Sequence, residues 1–431
     1  MKKSALLCAV ILAGSLATVS CNGGPHVNLP PSKLTERVFA SQSAATTVVP
    51  GSLVVIDGYN DTLGRGAISA GTSPGLMSIS PDKTTLMAFD MATNRVGVVN
   101  TQTQALIGSV QLPGPTTSMV TPLPSAGYVA VPSAPFSNGV PPGGIVAMNL
   151  IAAGISSLIS VPNAQTVVSN SSGTQLLVFS NGLASNVSDS VTVVSPLLVN
   201  SGSPVTVTVP GFDRPVNAVY SGDGSVAYIL NCGPQCGGTQ ASVQVLNVTS
   251  TPPTAGPLVP VDAATIGFLS GSTLYVAGTP STNNACTGES TAATTCGRLS
   301  IVDTGSLTVT GTAVITDGYH NRIDLGNGGQ LFVGSYDCTN IGNVNNVSGE
   351  VRGCLSIYNT LNNTVVIPPD NGDVTGLQTF SSRFVEYVAE GGNLRVYDTQ
   401  TDTLLENQDF ISTGTIIITG VITDVKAVDF F

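Results

Sequence analysis

The densest run of chemically capable side chains is Asp317-Gly318-Tyr319-His320-Asn321-Arg322-Ile323-Asp324. It brings an imidazole, a guanidinium, a phenol and two carboxylates into one short stretch. Grouped around a cleft, such side chains can bind a small anionic or polar ligand. A histidine beside a carboxylate can also act as a general base. Phe212-Asp213-Arg214-Pro215 is a second, smaller run of this kind, and Asp262, Asp373, Asp424 and Lys426 stand in comparable surroundings. The candidate ligand-binding residues are therefore Arg214, Tyr319, His320, Arg322, Asp324 and Lys426. The same residue types also form ion pairs between neighbouring structural units, so each has a structural reading beside the functional one. No residue is assigned a catalytic role.

Counting residues excludes other chemistries. Beyond the first 21 residues only His26 and His320 are histidines, too few for a His-ligated metal centre or an ordinary haem site. No G-x-S-x-G elbow occurs, and a Ser-His-Asp triad has only His320 to draw on. Asp57-Gly58-Tyr59-Asn60-Asp61 has the outline of a calcium loop but lacks the acidic ligand count of an EF-hand, so it reads as a turn. No metal and no cofactor is expected. With 25 acidic against 14 basic residues and a net charge of −11, the chain lacks the clustered Lys and Arg that nucleic-acid binding needs.

The elements that must position these residues repeat along the chain. A β-branched run, then Asp or Asn, then a Thr-rich turn and a second apolar run recur with the register residue at 57, 100, 149, 195, 247, 303, 359 and 398. Val54-Val55-Ile56-Asp57, Ile301-Val302-Asp303-Thr304 and Val396-Tyr397-Asp398-Thr399 are clear copies. The spacings run from 39 to 56 residues, and a period in the low forties with loop-sized insertions is that of a β-propeller with four-stranded blades. The register residue closes the third strand (c) of each blade, with strands a and b before it and d after it. Ser80-Pro81-Asp82-Lys83, Ser221-Gly222-Asp223-Gly224 and Gly326-Asn327-Gly328-Gly329 supply the a–b hairpin turns.

Ser-Pro-Asp before an apolar strand, followed by Val-x-Val-Ile-Asp-Thr-like runs, resembles the YVTN-type β-propeller repeat of bacterial envelope proteins. The resemblance covers most of the chain from about Arg37 and implies an all-β fold, a single propeller over residues 37–431. It implies no single function, because that repeat serves adhesins, scaffolds, binding proteins and some enzymes. The absence of tryptophan removes the docking motifs of quinoprotein propellers. Eight blades are expected, seven being the alternative. Blade one lacks an inner strand at the N-terminus, so residues 424–430 are expected to supply it by pairing near Val38 and closing the ring. The d–a connections then share one face with the b–c loops, which puts Arg214 and the His320 run at the mouth of the central channel.

Residues 1–21 read as a signal peptide, with Lys2 and Lys3 before an apolar stretch too short to span a bilayer. Thr18-Val19-Ser20-Cys21 resembles a bacterial lipobox, which implies lipid attachment at Cys21 and, with Asn22 following, an outer-membrane address. Periplasmic or secreted release is the alternative. Residues 22–36 read as an extended tether. Cys232 with Cys236, Cys286 with Cys296 and Cys338 with Cys354 fall as neighbouring pairs between strands b and c of blades five, six and seven, and read as disulfides of an oxidising compartment. The leading functional expectation is a monomeric, non-enzymatic envelope protein binding another protein or a glycan through its loop-rich face, with the lipid as its only membrane contact. The alternative is a lactonase-like hydrolase at the channel mouth.

Overall fold

The computed structural model describes residues 31–43, 51–137, 139–181, 188–196, 204–281, 296–338, 353–368, 372–405, 415–418 and 420–429. The signal segment, Cys21 and Cys286 lie outside the described residues. Eight antiparallel sheets, each with a four-stranded path, form the blades of one all-β propeller, and the seven-blade alternative falls away. The innermost strands of blades two to eight are Pro74–Ile79, Ser118–Leu123, Thr166–Ser169, Pro215–Tyr220, Ile266–Ser270, Tyr319–Leu325 and Val374–Thr379. Val421–Val428 is the innermost strand of blade one, and each inner strand lies beside the next until the ring is complete.

The chain's two ends meet in blade one, as expected. Arg37–Ser43 runs between Val421–Val428 and Ser52–Asp57, with Val38 opposite Ala427 on one side and Ile56 on the other. This pairing covers a sheet edge that would otherwise lie open in the channel. Residues 31–36 do not float free of the blades. Ser32 N–H donates to Gln104 Oε1 at 2.9 Å, Leu34 packs on the core between blades one and two, and Glu36 O accepts from Gly58 N–H at 3.0 Å.

Burial follows position within the blade. Thr85–Asp90, strand b of blade two, is buried throughout, whereas its outermost strand Ala105–Gln111 is mostly exposed. A blade buried on both faces needs near-continuous apolar runs in b and c, which is why those runs were legible as repeats. The core is a set of layers between blades. Met87, Phe89, Val96 and Val98 of blade two meet Val129, Val131, Val146 and Met148 of blade three. Each such side chain contributes ~1.5–3 kcal/mol on burial.

The repeated Asp or Asn caps the c–d turn. Asp57, Asn100, Asn149, Asn247, Asp303, Asn359 and Asp398 each accept, on Oδ1, one or two backbone N–H groups two to three residues ahead. That local bond competes with continued strand and forces the chain to turn. In six blades a left-handed residue follows the cap, at Asp61, Gln104, Ala153, Leu307, Asn363 and Asp402.

Side chains on the turn-bearing face bind blade eight to blade one and blade one to blade two. Arg383 pairs with buried Asp61, which also accepts from the Tyr387 hydroxyl. Lys83 pairs with Asp429, and Arg37, fully buried, donates from Nη1 to Thr101 O at 2.9 Å. On the opposite face Cys232–Cys236 and Cys338–Cys354 are disulfides, each with Cα atoms 5.6 Å apart. Cys296 is also disulfide-bonded.

Candidate functional site at the channel mouth

Every inner strand starts on the face that carries the b–c loops, so its first residues gather around the mouth of the channel. Six consecutive blades, two to seven, line a cavity of about 460 Å³ there. This lies within the ~300–1,000 Å³ of small-molecule sites. Thr117, Ser118, Gln165, Thr166, Asn217 and Thr265 supply hydroxyls and amides, Leu76, Met119, Val216 and Ile266 supply apolar surface, and Tyr319 to Arg322 with Tyr336 form the blade-seven wall. Among the described residues Arg322 is the one ionic side chain of the lining, which includes no Asp or Glu.

His320 lies in this wall but is 1% exposed. Its Nε2 is 3.0 Å from Thr316 O, which requires the N–H on Nε2 and leaves Nδ1 as a buried acceptor without a partner. Burial, opposed by that hydrogen bond, pushes the imidazole pKa down to about 4, so the ring is neutral near pH 7. Its contacts are therefore with backbone, and no ion pair joins it to a carboxylate.

Arg322 donates from Nε to Thr375 O of blade eight at 2.7 Å and from Nη1 to Asn321 O at 3.0 Å. It thus joins two inner strands while lining the cavity. Tyr319 and Tyr336 face each other with ring centroids 5.3 Å apart, tilted by 43°. Burial raises both phenol pKa values; for Tyr336 nearby Asp337 and Asp373 add to the rise and Arg322 opposes it. The guanidinium therefore lies near enough to act on that phenol.

The structure separates the other expected site residues from this group. Arg214 adopts φ 58° on the connection into blade five, pairs with Asp189 of blade four, and is not part of the cavity wall. Asp213 beside it accepts from Thr239 N–H and Gln240 N–H, at 2.8 and 2.7 Å, and so shapes the disulfide-closed b–c loop. Asp324 and Lys426 lie farther along their inner strands. Asp324 accepts from Leu325 N–H and from Thr379 N–H of blade eight, both at 2.9 Å. Asp424 does the same two boundaries on, accepting from Val425 N–H at 2.8 Å and Met77 N–H of blade two at 2.7 Å, while Lys426 Nζ binds its Oδ1 at 2.9 Å. Inter-blade contacts by Arg322, Asp324 and Asp424 thus run to backbone groups, rather than forming the Asp–Arg ion pairs considered from the sequence.

Between Asp324 and Lys426 sits Glu386, fully buried, with Oε2 accepting from Thr379 Oγ1 at 2.6 Å. Burial first, then the Asp324 charge, push its carboxyl pKa well above the usual range. Neither Glu386 nor the uncharged cavity residues Tyr336, Asn217 and Gln165 were singled out from the sequence. For the three cavity residues the signal is positional, the start of strand a or the end of strand b in successive blades, whereas Glu386 stands at the start of strand b in blade eight. Among the described residues no group of three His, Cys, Asp or Glu side chains is placed to hold a metal ion, and no helix is long and apolar enough to cross a membrane.

No protein-family model and no curated protein matches the chain. Solved structures do resemble it. Dihydro-heme d1 dehydrogenase NirN aligns with TM-score 0.62 at 10% identity, over 92% of this chain and 78% of that one. The C-terminal WD40 domain of Sif2 aligns with TM-score 0.54 at 9% identity, over 83% and 90%. A Bacteroides fragilis protein described as a candidate 6-phosphogluconolactonase gives 0.50 at 14% identity, over 92% and 98%. At these identities the likeness establishes the propeller fold alone.

Proposed function

We propose that this chain is an exported, lipid-anchored propeller that binds a glycan at its channel mouth and breaks no bond in it. The observation behind this reading is the cavity wall: hydroxyls, amides, two tyrosines and one arginine, shared among six blades. Such groups exchange hydrogen bonds with sugar hydroxyls, and tyrosine rings offer an apolar face to the sugar C–H groups. The hydrolase alternative has less to draw on. Its base would be His320, which is buried, neutral and bonded to a backbone carbonyl. Export and anchoring rest on the N-terminal pattern ending at Cys21.

Calorimetric titration with soluble polysaccharide fragments tests the binding reading. Asn217→Ala combined with Tyr336→Ala should reduce affinity at least tenfold with little change in melting temperature. Turnover of a sugar lactone by the wild type, abolished in His320→Ala, would overturn it in favour of the hydrolase. Labelled fatty acid should enter the wild type in bacterial cells but not Cys21→Ser; equal labelling removes the anchor.

A further inference from the structure

We infer that the glycan held at the mouth is acidic: a uronic-acid oligosaccharide, one carboxylate of which is received by Arg322, Tyr319 and Tyr336. The inference rests on the glycan-binding reading and concerns which sugars satisfy it. Among the described residues only the Arg322 N–H groups on Nε and one on Nη1 have partners. Among the described residues neither tyrosine hydroxyl has a hydrogen-bond partner, and both tyrosines and Arg322 line the cavity. Asn217 adds a fourth donor: its Oδ1 accepts from Ala218 N–H at 2.8 Å, which leaves the amide N–H groups unspent. The cavity lining thus carries donors lacking acceptors, on blade seven and at Asn217 of blade five.

The charge pattern favours a singly charged group at Arg322. The chain carries a net charge of −11, yet no carboxylate among the described residues lines the cavity. Asp213, Asp324 and Asp424, which come nearest in sequence pattern, are occupied by backbone N–H groups elsewhere. A guanidinium fork receives a carboxylate through paired N–H bonds. Asp337 and Asp373 lie near the Tyr336 phenol and oppose Arg322 there. A dianionic phosphate would meet both of them with one guanidinium to offset the repulsion. One carboxylate with neighbouring hydroxyls fits the balance better. The tilted Tyr319–Tyr336 pair gives the sugar ring an apolar surface beside the charge contact.

The test is titration calorimetry of the full mature protein with trimers of galacturonate, glucuronate and mannuronate, their methyl esters, and the corresponding neutral hexose trimers. At least one acid should bind, its ester should bind at least tenfold more weakly, and raising the salt should weaken the acid but not the ester. Arg322→Gln should erase the acid–ester difference. Because Arg322 also holds blade eight, Tyr336→Phe and Tyr319→Phe provide independent variants, each expected to lower acid affinity at least threefold at unchanged melting temperature. Acid and ester binding alike would overturn the carboxylate assignment and leave glycan binding in place. Failure of every acid, with a neutral trimer bound, would do the same. No binding by any sugar would overturn both.

Discussion

At His320 burial, not a catalytic partner, sets the protonation state. A neutral imidazole is preferred in the fold, where the pKa is about 4, whereas the unfolded chain takes up its proton near the ordinary 6.5. The unfolded state therefore binds more protons between those values, and stability must fall as pH drops from about 6.5 towards 4. At ~1.4 kcal/mol per pKa unit the loss is roughly 3 kcal/mol. His320→Gln keeps a donor for Thr316 O and cannot titrate. Its melting temperature should vary less than that of the wild type across this window, and parallel pH profiles would show that His320 is not responsible. Arg214 and Arg322 illustrate what could not be read at this scale. Both follow an acidic or polar residue at the start of an inner strand, yet one turns back to Asp189 and the other reaches forward to Thr375. The difference is made by the backbone, left-handed at Arg214 and extended within Tyr319–Leu325 at Arg322.

Among the elements, two sets of carboxylates that look alike in sequence carry unequal loads. Asp57 caps an exposed turn, and its bonds are replaceable by water. Asp424 is buried and joins the inner strands of blades one and two through Val425 N–H and Met77 N–H. Removing a buried acceptor leaves its donors unsatisfied at ~1–3 kcal/mol each. Asp424→Ala should therefore cost at least about 2 kcal/mol more than Asp57→Ala in urea unfolding, with Asp424→Asn between them. Equal costs would mean that the inter-blade bracket adds nothing. The turn caps were legible because an Asx turn needs a particular side chain at a particular offset, repeated from blade to blade. The cavity was not, because Ser, Thr, Asn and Gln occur throughout this chain, and only the closed ring distinguishes Asn217 or Gln165 from residues of the same type on the outer strands.

For the molecule as a whole, stability depends on a ring whose last piece is made last. Without residues 424–431, Arg37–Ser43 would lose most of its inner partner, and Lys83 and Ser381 would lose Asp429. Blades share their core layers, so an opened ring should not simply melt a little earlier. The truncated chain should show no single cooperative transition by calorimetry, and a two-state melt like that of the parent would contradict the closure argument. The count of eight blades and the pairing of the ends were legible because closure leaves a deficit of one strand at the N-terminus and a surplus of one at the C-terminus.

The entry of the chain into blade one also fixes which way the protein looks. Residues 31–36 pack beside the c–d turns, at Gln104 and Gly58, whereas the cavity opens at the opposite end of the inner strands. An inner strand such as Tyr319–Leu325, with 7 residues, spans roughly 20 Å at ~3.3 Å per residue. A propeller moored through the residues before Pro31 would rest turn-side towards its mooring and hold the cavity about that far out, facing the surroundings. A long polymer could then reach the mouth end-on without passing between the protein and the surface that carries it.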